Sequence, residues 1–122
     1  FDGDGKLEIL TFSKFHGDTL AIWHEGQTRD RYEQVWCDPQ KRSFLHALWA
    51  ADLNGEKCAV IGNRKDGRDL LLVRYVDGEY TVDVIDHDLG PANCMVYRHD
   101  GSDYIVAAYR ETDQLALYKV VE

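Results

Sequence analysis

The chain opens on FDGDGKLE, in which Asp2, Asp4 and Glu8 alternate with Gly3 and Gly5. Hard cations take several carboxylate oxygens on a tight turn that glycine permits, and this spacing is that of a calcium loop. Asp and Gly also favour turns that hold no metal. A second group of chemically capable residues lies further on. His46 sits six residues before Asp52, and His87 adjoins Asp88. Imidazoles that share a cavity can bind a metal or act as an acid/base pair near neutral pH. The competing reading makes His46 a hydrogen-bonded packing residue and His87-Asp88 a turn. His16, His24 and His99 show no partner spacing and read as loop or edge residues. Trp49 and Tyr97 would stack on a sugar if exposed, with polar Asn93 nearby. The recurrent aromatics Trp23, Trp36, Trp49, Tyr75, Tyr97, Tyr109 and Tyr118 otherwise pack layer on layer. No Ser/His/Asp nucleophile motif, phosphate-cradling loop or credibly spaced Cys-His pair occurs.

The 122 residues carry a net charge of −8, with 22 acids. Phosphate binding needs Lys and Arg, so nucleic acid and anionic membranes are disfavoured as partners. The acids favour solubility, or cations and neutral sugars as partners. No window approaches about 18 apolar residues, so no membrane insertion is expected. No basic stretch followed by an apolar one opens the chain, so no signal peptide is read. Without an initiator Met, the chain is expected to be a piece of something longer. Cys37, Cys58 and Cys94 are odd in number and widely spaced. They fit neither a disulfide framework nor a zinc pattern and read as small, mostly buried apolar residues.

The elements that must position these residues repeat. Gly5, Gly55 and Gly101 anchor three similar units, at spacings of 50 and 46. LAIW, LLVRY and LALY recur at the same place in each unit. Each unit is a set of short runs rich in Val, Ile, Leu, Tyr and Trp, separated by Gly, Asp and Asn. These are strands joined by tight turns, with VDGEYTV the clearest hairpin. SFLHALWAADLNG resembles a helix, but its place in the repeat makes it a strand ending in a turn. The middle unit supplies four strands, from SFLHALWAADL innermost to EYTVDVIDHD outermost. The first lacks an innermost strand and the third an outermost one, giving ten strands. Four strands per repeat of this length predict an all-β fold, a β-propeller fragment of about three antiparallel blades. The expected bounds are 1–42, 43–89 and 90–122. About three blades cannot close a ring by themselves, since propellers have typically four to eight. The remaining blades, or another copy of the chain, are therefore expected partners. NRKDGRD and QTRDRYE read as solvated hairpin tips.

FDGDGKLEIL, AADLNGEKCAVIG and YRHDGSDYIVAA resemble the FG-GAP and VCBS-type propeller repeats, whose motif is D-x-[DN]-G-D-G-x-x-[DE] followed by apolar strand residues. The first copy matches all but the leading Asp. The other two are progressively degenerate, and the resemblance covers essentially the whole chain. It implies a Ca2+ site at Asp2, Asp4, the carbonyl of Lys6 and Glu8, incomplete without the leading ligand. In the second copy Asp52 and Asn54 match and Glu56 is displaced. In the third, Asp100 and Asp103 match but Arg98 takes the leading place, which argues against calcium. Family repeats carry a His on the inner strand at the position of His46, facing the axis, where Ala92 is its counterpart in the third unit. His46, His87, Trp49, Asn93 and Tyr97 are therefore expected around a channel. The resemblance implies a non-catalytic module binding carbohydrate or protein. A sugar lyase or dehydratase using His46 and His87 is the alternative. An extracellular or periplasmic location follows from the resemblance alone.

Overall fold

A computed structural model describes residues 1–13, 17–28 and 30–121. The expectations for His16, for the end of the first strand and for Arg29 in QTRDRYE lie outside the described residues. Among the described residues there are ten strands. They are β1 (Glu8–Ser13), β2 (Thr19–Glu25), β3 (Tyr32–Cys37), β4 (Leu45–Leu53), β5 (Glu56–Asn63), β6 (Leu70–Val76), β7 (Glu79–Asp86), β8 (Pro91–His99), β9 (Ser102–Tyr109) and β10 (Gln114–Lys119). They form three antiparallel sheets of consecutive strands, β1-β2-β3, β4-β5-β6-β7 and β8-β9-β10. SFLHALWAADLNG is strand β4 and its turn, as the repeat requires. No helix of the described residues is long and apolar enough to cross a membrane.

The turns explain the hairpins. Asn54-Gly55, Asp77-Gly78 and Asp100-Gly101 each link two strands through two residues of positive φ, at 51° and 83°, 51° and 84°, and 47° and 77°. That is the type I′ geometry whose twist matches paired strands, and Gly in second place carries no Cβ penalty.

Within the middle sheet β5 is buried on both faces, which is why it reads as a nearly continuous apolar run. Ala59 and Ile61 meet Leu20 and Ile22 of the first sheet, with Leu71 and Val73 beside them. Cys58 and Val60 meet Cys94, Ile105 and Ala107 of the third. The second seam is close. A Cβ on Gly62 would lie 2.5 Å from Pro91 Cγ and 2.9 Å from its carbonyl oxygen, so only glycine fits. Burial pushes the Cys58 and Cys94 thiols up to about 11. Cys37 departs from the sequence reading. It is exposed, because it ends the edge strand β3 rather than lying in a central one.

Buried polar groups fix the connections. Asp38 and Arg42 form an ion pair at 2.9 Å, with side chains only 3% and 7% exposed, in the return from β3 to β4. Asn63 is buried and bonds the Lys65 carbonyl and the Asp69 amide, closing the loop after β5. Tyr118 of β10 donates to Asp86 at the end of β7, stitching the third sheet to the middle one.

Among the described residues, two apolar sheet faces have no sheet over them. On the third sheet, Met95, Leu115 and Leu117 are exposed on the face opposite Cys94 and Ile105. On the first, Ile9 and Val35 are exposed.

Candidate functional site

The acidic loop is built by pairing across β1 and β2. Glu8 lies opposite His24 in the register, which brings the base of the loop to the end of β2. Asp2 Oδ1 accepts from the Asp4 amide at 3.0 Å, and Asp4 Oδ1 from the Lys6 amide at 2.8 Å. The other carboxylate oxygens converge on one nitrogen. His24 Nε2 is 2.7 Å from Asp4 Oδ2 and 3.8 Å from Asp2 Oδ2. His24 Nδ1 lies 2.8 Å from the Glu25 carbonyl oxygen. A carbonyl only accepts, so Nδ1 carries a proton there and Nε2 is the atom presented to the acids. The bond to Asp4 holds the His24 imidazole above its ordinary value. The Lys6 amide, and next the imidazole, hold the Asp4 carboxyl below its own. His24 thus closes the loop, with both ring nitrogens facing oxygen atoms.

Glu8 stands apart from this cluster. Its buried carboxylate accepts from the Phe1 amino group, from the Asp2 amide at 3.3 Å and from the Tyr80 hydroxyl of β7. Burial pushes this carboxyl up, but the Phe1 and Tyr80 bonds outweigh burial and leave it below its ordinary value. Burial, and then the bond to Glu8, raise the Tyr80 phenol. Glu8 therefore clamps the first sheet to the middle one. The set implied by the resemblance is split between two tasks. What converges is two carboxylates and an imidazole nitrogen, which fits the all-oxygen shell of calcium poorly. His24 escaped the sequence reading because its proximity to Asp4 depends on strand register, not on spacing. The pairing of an apolar run ending WHE with LEIL was the available signal.

The two equivalent turns are closed differently. After β4, Lys57 Nζ bonds Asp52 Oδ2 at 2.8 Å, and Glu56 is exposed. After β8, Arg98 bonds Asp103 Oδ1 and the Gly101 carbonyl, both at 3.0 Å. Asp103 is buried, and its Oδ2 accepts the Asn54 amide at 2.8 Å, joining the two turns. That amide, and next Arg98, hold the Asp103 carboxyl below its usual value.

The expected inner-strand residues lie along β4 and β8, which pack together. Both strands carry a bulge at the same place in the repeat. The register slips between Leu45 and Ala47, leaving His46 as the extra residue, and between Pro91 and Asn93, leaving Ala92. A bulge re-aims its extra residue. His46 Nδ1 lies 2.6 Å from the Ala92 carbonyl oxygen, so the aligned pair is also a bonded pair. The exposed His46 ring stacks on Phe44, with centroids 5.9 Å apart. His87 lies just beyond β7, exposed and 2.7 Å from Asp88. That bond raises the imidazole above its ordinary value.

Trp49 is exposed and borders two shallow clefts. One, of about 510 Å³, also touches Tyr97, Asp52, Lys57, Arg98 and Asp103. The other, of about 210 Å³, touches Asn93, Met95, Val106 and Leu115. Tyr97 stacks on Tyr104 at 5.4 Å, with rings 15° from parallel. The structure thus brings Trp49 to Tyr97 on one side and to Asn93 on the other.

No family model matches the chain, and neither a curated protein nor a solved structure matches it.

Proposed function

We propose that the chain is a segment of a β-propeller of the FG-GAP/VCBS type, working as a non-catalytic module that binds a neutral carbohydrate. Three sheets in series, with the middle one covered on both faces, support the propeller reading. The uncovered apolar faces at Ile9 and Leu117 suit further blades, or the complementary face of another copy. The observation that carries the ligand class is Trp49. It is 41% exposed on β4, beside Tyr97 and a rim of Asp52, Lys57 and Arg98. An exposed ring next to fixed polar groups gives a sugar a stacking face and hydrogen-bond partners. A protein loop would use the same features, and the two ligands separate by experiment. The catalytic alternative would place its chemistry at His46, where the Ala92 carbonyl and the Phe44 ring give the imidazole a positioning task.

Titration calorimetry of the chain against a panel of neutral oligosaccharides tests the proposal. Binding is expected to be lost in Trp49→Ala and weakened in Tyr97→Ala, with the fold retained. Binding indifferent to both substitutions, or turnover of the sugar, would overturn it.

A further inference from the structure

We propose that Asp2, Asp4 and His24 form a site for a borderline divalent metal of the zinc class, and not for calcium. This is independent of the ligand proposed at Trp49.

The donor set decides the class of ion. Calcium and magnesium take oxygen, whereas imidazole with carboxylate suits zinc and its neighbours. The spacing agrees. A tetrahedral ion with bonds of about 2.1 Å holds its ligands roughly 3.4 Å apart. The present separations from Nε2, 2.7 Å to Asp4 and 3.8 Å to Asp2, bracket that value. All three donor atoms already lie within 4.8 Å of one another. Seating the ion would widen the Asp4 separation by about 0.7 Å and narrow the Asp2 one by about 0.4 Å.

The contact outside the cluster points the same way. A histidine that binds a metal usually donates its other ring N–H to a carbonyl or carboxylate, which fixes the ring and its tautomer. His24 Nδ1 meets the Glu25 carbonyl in that manner, 2.8 Å away. The equivalent turns lack this option. Lys57 and Arg98 close them, and ammonium and guanidinium groups offer no lone pair. Three protein ligands leave a fourth position open, and Asp4 faces solvent with 38% of its side chain exposed. The site would take a water there, or a donor from whatever the module binds.

The test is calorimetric titration of the tag-free chain with zinc chloride, with cobalt(II) as a spectroscopic probe. One zinc per chain is expected, with no heat from millimolar calcium. Cobalt is expected to give bands of nitrogen and oxygen ligation without a thiolate charge-transfer band. His24→Ala and Asp4→Asn should each weaken zinc at least about tenfold, while His99→Ala leaves it unchanged. If His24→Ala loses the fold by circular dichroism, His24→Gln is read in the same titration. No zinc uptake, zinc affinity unchanged in the His24 variant, calcium competing with zinc, or a thiolate band from Cys37 would each overturn the proposal.

Discussion

The turn before β1 and the turn after β8 occupy the same place in the first and third repeats, yet partner their acids in opposite ways. At the third sheet, Arg98 holds a buried Asp103, and the same carboxylate caps an amide of the neighbouring turn. Charge, hydrogen bonds and sheet-to-sheet packing are spent on one permanent arrangement. At the first sheet, the acids stay near the surface and meet an imidazole, while the sheet-joining task passes to Glu8 and Tyr80. The comparison teaches that equivalent turns can be closed by a fixed guanidinium or by a titratable imidazole. In the first repeat, Asp2 and Asp4 each hold a backbone amide with one oxygen and turn the other toward the His24 imidazole.

The largest expected effect is at the buried Asp103. Asp103→Ala removes the acceptor of the Asn54 amide and the ion-pair partner of Arg98, and should lower the melting temperature by several degrees. Asp4→Ala in the first turn should leave it nearly unchanged in metal-free buffer. Equal losses would erase the distinction between the two turns. A smaller loss, about 1 kcal/mol in urea unfolding, is expected for Tyr80→Phe, which removes one bond from the buried Glu8 carboxylate. No change there would mean that Glu8 does not clamp the sheets.

The smallest effect is pH-dependent. The imidazole of His24 is raised above 6.5 on folding, so its stabilisation is complete below 6.5 and fades as pH climbs through the raised value. The Asp4 carboxyl is depressed below 3.8, so its share is present above 3.8 and is lost as pH falls through the lowered value. The closed loop should therefore be firmest between those two limits. An NMR titration of the His24 ring should find its midpoint above the ordinary imidazole value, and Asp4→Asn should bring it down. A midpoint that ignores Asp4 would contradict the assignment.

Much of the frame was legible in the sequence. Gly55, Gly78 and Gly101 each mark a two-residue turn, because a type I′ hairpin needs positive φ and glycine supplies it without strain. The equivalence of His46 and Ala92 was readable from the repeat, although their bond was not. That bond arises from two bulges, which the spacing of side chains along a strand does not encode. The candidate site was less legible for a similar reason. Asp2 and Asp4 stood out by composition, but His24 enters only through the pairing of Glu8 with His24, and Tyr80 through the packing of one sheet on another. Residues brought together by register and by face leave no periodic trace in the chain.

The most direct measurement is a crystal structure of the chain soaked in zinc, with anomalous data at the zinc edge. The account expects a peak bonded to His24 Nε2 and to the carboxylates of Asp2 and Asp4, and none at Asp52 or Asp103. A peak at either of those turns, or none beside His24, would contradict it.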